Sequence, residues 1–220
     1  MMNNSEREME LIKKLEESGI MASGHFSGKD THLSWVLTDD GVLTIVGKGD
    51  LNDIVEDFDW RVDDTDYVGE CLAFYYPRVC SYPWFAYYDL VKVIVFGEGI
   101  EDLGHETFMR YRNVEKLMLP NSLKSLGLWT FYGCASLTEV TIPANVVHFY
   151  SAFDYCSNLK KVTCLAAHPP IVIVGEYAFE DIAEEAVLYV PEASIEEYRQ
   201  NDCWNKSFKQ IRGIIKNSSY

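Results

Sequence analysis

No stretch of this sequence is apolar for long enough to cross a bilayer, and its opening residues, "MMNNSEREMELIKKLEESG", lack the hydrophobic centre of a secretory signal. The expectation is a cytoplasmic chain, or an exported one whose signal has been trimmed. Basic residues are scarce: 19 Lys and Arg stand against 34 Asp and Glu, a formal charge of −15. Phosphate backbones are held by clustered cations, so nucleic acid is not an expected partner, and neither is membrane insertion. Cysteine is too thin for a disulfide scaffold, with six in 220 residues and no C-x-x-C pair. The five histidines, His25, His32, His105, His148 and His168, show no paired or zinc-like spacing, and neither G-x-S-x-G nor a phosphate-binding glycine loop occurs. These absences argue against an enzyme, a structural metal and a cofactor.

What the sequence does contain is a period. Four segments align: "LVKVIVFGEGIEDLGHETF" from Leu90, "VEKLMLPNSLKSLGLWTF" from Val114, "LTEVTIPANVVHFYSAF" from Leu137 and "LKKVTCLAAHPPIVIVGEYAF" from Leu159, with starts 24, 23 and 22 residues apart. Each places apolar residues at its first, fourth and sixth positions: Leu90, Val93, Val95; Val114, Leu117, Leu119; Leu137, Val140, Ile142; Leu159, Val162, Cys164. Alternation at the fourth and sixth positions is the period of a strand with one buried face. Pro120 and Pro143 follow the sixth position, where a missing N–H ends the ladder. A second apolar pair comes next (Ile100 and Leu103; Leu123 and Leu126; Val146 and Phe149; Ile171 and Val174), and Phe108, Phe131, Phe153 or Phe179 closes the unit. One such unit cannot bury its own apolar side, but stacked units share a core, so the pattern is that of a solenoid.

The period also sorts the reactive side chains. Cys134 and Cys156 fall three residues after a closing Phe, where the other units have Tyr111 and Ile182, and Cys164 sits in the strand column. Buried apolar surroundings raise a thiol's pKa, so these three are read as core and not as nucleophiles. His148 lies between two inward residues and is expected to face solvent.

The ends read as covers. "LSWVLT" and "VLTIVG" are alternating runs joined by "DDG", a hairpin signature. Before them, Ser5 and Glu8 have capping-box spacing, Met9, Ile12 and Leu15 form a narrow stripe, and Gly19 closes an expected short helix. Ser194 and Glu197 repeat the capping-box spacing after "VLYVP", with Trp204, Phe208 and Ile211 available to cover the last coil. Eight aromatics crowd residues 74–88 (Phe74, Tyr75, Tyr76, Tyr82, Trp84, Phe85, Tyr87 and Tyr88), and some are expected to cover the first coil.

These residues resemble the BspA-type leucine-rich repeat family. Its strand ending "V-x-I-P" and closing "A-F-x-x-C-x-x-L" are matched by "VTIP" with "SAFDYCSNL" and by "LMLP" with "WTFYGCASL". The family's N-terminal cap resembles residues 33–54 and its C-terminal end residues 186–211, so the likeness covers roughly residues 24–213. The first unit departs from it by lacking the Pro and the Cys, and "DIVEDFDWRVDDTDYVGECLAFYYPRVCSY" reads as an insertion. The resemblance implies a protein-interaction role, including adhesion to host or matrix proteins, and a secreted or cell-surface location; the alternatives are a structural or assembly module that binds another bacterial protein or another copy of itself and, as a lesser one, a hydrolase-like enzyme with an unrecognised site.

The expected fold is α+β and β-rich: a short leucine-rich-repeat solenoid of stacked short strands with an N-terminal hairpin cap and a C-terminal helical cap. The expected divisions are a helix and extension over 1–22, a cap with the acidic and aromatic insertion over 23–89, repeats and C-terminal cap over 90–213, and a tail over 214–220. Residues beside the inward positions point outward. They form a candidate binding face: third positions Lys92, Lys116, Glu139 and Lys161, fifth positions Ile94, Met118, Thr141 and Thr163, and Tyr189 on the last strand. Stacked about 4.8 Å apart, three lysines in one row imply an acidic partner surface, or serve only to keep the strands soluble. Asp57, Asp59, Asp63, Asp64 and Asp66 offer hard oxygen ligands to calcium as a weaker alternative to a solvated acidic loop, because the glycine and terminal glutamate of an EF-hand are missing. Cys71 and Cys80 are expected to pair only in an oxidising compartment.

Overall fold

A computed structural model describes residues 19–27, 30–55 and 82–214. The cap begins with three antiparallel strands, β1 (Ile20–Ser27), β2 (His32–Thr38) and β3 (Val42–Asp50). The "DDG" turn between β2 and β3 closes as the alternation predicts, with Gly41 at φ +87° and its N–H donating to Thr38 O. β1 occupies residues 20–22, which the sequence reading assigns to a helix and extension; the capping box and apolar stripe proposed for that helix lie outside the described residues.

β3 is long because it serves both sides of the solenoid. Val42–Ile45 pairs in parallel with β4 (Val93–Phe96), and Gly49 and Asp50 pair with β5 (Ile100–Asp102). Two parallel stacks grow from it. One continues through β6 (Lys116–Met118), β8 (Glu139–Ile142), β10 (Lys161–Cys164) and β12 (Val187–Val190); the other runs through β7 (Ser125–Leu126), β9 (His148–Phe149) and β11 (Ile171–Val172). The first stack is split: β6 pairs only with β4 among the described strands, while β8, β10, β12 and the final strand form a separate four-stranded sheet.

The core is a spine of rings. Phe108, Phe131, Phe153 and Phe179 are all buried and stack nearly parallel, with centroids 5.5, 5.1 and 5.7 Å apart. Trp84 continues the stack 5.7 Å beyond Phe108, and Tyr82 lies 5.5 Å from Trp84, so part of the aromatic segment does cover the first coil. At the other end come α1 (Ile195–Gln200), α2 (Asp202–Ser207) and β13 (Gln210–Gly213), which pairs in parallel with β12. Trp204, Phe208 and Ile211 are buried against the last coil, as their position predicts.

The expected capping box at Ser194 does not form. Its hydroxyl donates to Ala167 O at 2.7 Å instead, which ties the start of the helix to the "AAHPP" insertion. Tyr198 Oη donates to Ala166 O and Trp204 Nε1 to Pro170 O, so the C-terminal cap holds the whole insertion.

Candidate functional site: the open face of the repeat sheet

The strands set which side chains face outward. Lys161 pairs with Glu139 and Val187, and Thr163 with Thr141 and Tyr189, so these residues form two outward rows with Gln210 and Arg212 as their continuation on β13. Val140, Ile142, Val162, Cys164, Leu188 and Val190 alternate with them and are buried. Met118 is 45% exposed and Thr141 is exposed, whereas Thr163 and Tyr189 are half-buried.

In the first unit the register differs from the sequence reading by one residue. Val93 pairs with Lys116, and Val95 with Met118. The equivalents of the outward positions are therefore Val93 and Val95, not Lys92 and Ile94. Ile94 is fully buried, Val91 replaces Leu90 in the core, and Leu90 is 46% exposed. The cause is the run "VKVIVF": it is apolar at nearly every position, so alternation does not identify its inward face. Thr44 and Val95, in the same row, are themselves buried beside the cap, so the open face begins at Met118. A similar slip affects the fourth unit, where Ile171 and Val174 are exposed. The strand pairs Ile171 with His148 and Val172 with Phe149, two residues out of the predicted alignment, because "HPP" lengthens the connection.

The lysine row is thereby reduced. Lys92 is exposed but out of line, and Lys161 Nζ lies 3.2 Å from Glu139 Oε2. An exposed pair of this kind contributes little to stability, yet it cancels the local positive field. The neighbouring row, Met118, Thr141, Thr163 and Tyr189, offers hydroxyl, thioether and phenol groups, so the face is less cationic than the lysine spacing implies.

The cysteines behave as the repeat predicts. Cys134 and Cys156 are buried, and their thiols donate to the Phe108 and Phe131 carbonyls of the preceding coil at 3.4 and 3.2 Å. Burial pushes the Cys156 thiol up to about 12, and it raises Cys134 and Cys164 as well. A thiol so raised is not a thiolate nucleophile at neutral pH. His148 faces solvent, and exposed His168 pairs with Glu197 at 2.9 Å. Among the described residues no three His, Cys, Asp or Glu side chains come together as a metal site. The five aspartates proposed for calcium, and Cys71 with Cys80, lie outside the described residues.

Sequence reasoning did not single out Asp154. Its buried carboxylate accepts from Glu180 N at 3.0 Å, with Glu180 and Asp181 close by, and burial foremost raises its pKa to about 7. Asp50, in the cap, is raised to about 6, also chiefly by burial. The folded chain keeps protons that the unfolded chain releases near pH 4, so both groups lower stability as pH climbs from about 4 through about 7. Asp154→Asn keeps the acceptor for Glu180 N–H without the charge. We expect it to stabilise the protein by about 1–2 kcal/mol at pH 8 and by nothing measurable near pH 4, read as melting temperature against pH. An equal shift at both pH values would show that the carboxylate's charge is not the cause.

The sequence profile of the BspA type leucine rich repeat region matches residues 81–209 in six copies, more than half of the chain. No curated protein matches. Among solved structures, the pneumococcal vaccine antigen PcpA is similar at 20% identity over 58% of this chain and 36% of its own, with a TM-score of 0.39. A leucine rich cell surface protein from Faecalibacterium prausnitzii is similar at 15% identity over 59% of this chain and 27% of its own, TM-score 0.35. A leucine-rich repeat protein from Eubacterium ventriosum is similar at 14% identity over 87% of this chain and 68% of its own, TM-score 0.29. The chain therefore spans 36% and 27% of the lengths of the first two.

Proposed function

We propose, for a chain that belongs to the BspA-type leucine-rich repeat family, a non-enzymatic protein-binding role of the adhesion type, carried by the open face of the repeat sheet, at the bacterial surface or in secretion. The observation that carries this reading is the outward row Met118, Thr141, Thr163 and Tyr189. Its members project from adjacent, mostly hydrogen-bonded strands, so a partner meets a surface already ordered and loses little entropy on either side. Hydroxyl and phenol groups supply hydrogen bonds, and Met118 adds polarisable apolar contact at the edge of the row. The partner is a protein, of host or matrix origin, that lies flat across several coils. Buried, strongly raised thiols support a role without covalent chemistry.

The experiment is surface-plasmon binding of the purified chain to a panel of extracellular matrix proteins, with Met118→Arg/Thr141→Arg beside the wild type. Both positions are exposed, so the variant is expected to melt within about 2 °C of the wild type, as surface changes do. Its affinity for any matrix protein the wild type holds is expected to fall at least about tenfold, the cost of misfitting side chains at an interface centre. Undiminished binding by a folded variant would move the site off this face.

A further inference from the structure

The two ends of the solenoid differ in charge. Residues 199–220 contain Arg199, Lys206, Lys209, Arg212 and Lys216 against the single acid Asp202, whereas residues 1–198 hold 14 basic and 33 acidic side chains. Three of these cations line a cleft of about 570 Å³ between the C-terminal helices and β13, where Arg199, Lys209 and Arg212 are exposed around the buried Phe208 and Ile211. Glu196 and Glu184 each engage one of these cations, Arg199 and Lys209, and Arg212 donates to the uncharged Gln210 amide. At the opposite end, among the described strands, β1 is the outer edge of its sheet. Exposed Asp30 sits at the β1–β2 connection and exposed Asp39 and Asp40 at the β2–β3 turn, while Ile20 and Met21 are 62% and 46% exposed.

We propose that the basic C-terminal cleft is a docking surface for the acidic N-terminal cap of a second copy of this chain, joining copies head to tail along the solenoid axis. The contact uses two different surfaces, so each added copy leaves one basic and one acidic end free, and the product is an open chain rather than a closed dimer. The row from Met118 to Tyr189 takes no part, which makes this association independent of the adhesion role. Salt acts on it in two directions. At about 0.01 M salt the screening length is about 30 Å, and the −15 charge of each copy is felt in full. At about 0.15 M it is about 8 Å, so only the charges at the meeting ends count, and at 1 M even these are screened. Association is therefore greatest at intermediate salt.

Analytical ultracentrifugation of the whole chain at 0.01, 0.15 and 1 M NaCl tests this. The weight-average mass is expected to rise above 25.2 kDa with concentration at the middle salt and to return to it at both extremes. Lys209→Glu/Arg212→Glu and Asp30→Lys/Asp39→Lys are each expected to stay monomeric alone, and an equimolar mixture of the two to associate again, because each supplies the end that the other lacks. If either reversal melts early, Lys209→Gln/Arg212→Gln and Asp30→Asn/Asp39→Asn take its place, with weakened self-association expected of each. A monomeric wild type at every salt overturns the proposal. So does association that persists at 1 M, that survives in a folded variant, or that fails to return in the mixture.

Discussion

Phe131→Ala is expected to lower the stability of the folded chain by about 3–5 kcal/mol, the range for deleting a buried ring from a packed core. Phe131 is fully buried and stacks on Phe108 at 5.5 Å and on Phe153 at 5.1 Å, with Phe96 edge-on at 6.5 Å. Its neighbours belong to the coils before and after, so the cavity interrupts the column of stacked rings that runs from Trp84 to Phe179. Collapse around the gap would require two coils to approach each other, which their strand spacing of about 4.8 Å forbids. A domain of this kind holds about 5–15 kcal/mol in total, so a large share of it is lost. Urea unfolding is the measurement, with the midpoint falling and the slope unchanged. Leu165→Ala, at an exposed position, is the comparison and is expected to change stability by less than about 0.5 kcal/mol. A loss below about 1 kcal/mol at Phe131 would mean that the rings are not the spine.

Trp204→Ala is expected to be at least as damaging, and to act at one end. The indole is buried among Phe149, Phe179 and Tyr198, with centroids 5.4, 5.8 and 5.4 Å away, and its Nε1 donates to Pro170 O at 2.9 Å. Losing the ring costs about 3–5 kcal/mol, and leaving a buried carbonyl unpaired adds about 1–3. Trp204→Phe separates the two contributions, because it keeps most of the ring and removes the donor. Limited proteolysis is expected to cut Trp204→Ala first within residues 165–177, the insertion that the C-terminal cap holds down, before the earlier coils are attacked. Cleavage that begins in the first coils would place the weak end at the wrong side of the solenoid.

The repeat was legible because its strongest signal is spacing. The closing phenylalanines recur at nearly constant intervals, and Cys134 and Cys156 follow them at a fixed offset, so columns could be drawn without knowing the turns between them. Register failed where periodicity was degenerate or interrupted: at "VKVIVF", apolar at nearly every position, and at "AAHPPIVIV", where two prolines shift the strand. Backbone conformation was hidden too. Arg110, Tyr155 and Asp181 adopt left-handed φ of 60°, 60° and 50° at the place in their coils where Gly133 has 68°, and only the glycine announces it. Asparagine contacts between coils, such as Asn113 Nδ2 to Asp89 O and Asn158 Nδ2 to Ala135 O, satisfy carbonyls that no pattern of hydrophobicity marks. For the face, the alternation from Glu139 onward was readable, whereas the shortened lysine row depended on the first unit's register and on the Lys161–Glu139 pair.

The central claim, that a protein partner lies on the open face from Met118 towards Tyr189, is tested most directly by setting two folded variants against one immobilised matrix protein that the wild type binds. Met118→Arg/Thr141→Arg alters the face, and Arg199→Glu/Lys209→Glu alters the C-terminal end. The account predicts that the first loses at least about tenfold in affinity, about 1.4 kcal/mol, while the second binds as the wild type does. Wild-type affinity in the face variant, with the loss appearing instead in the end variant, would contradict it.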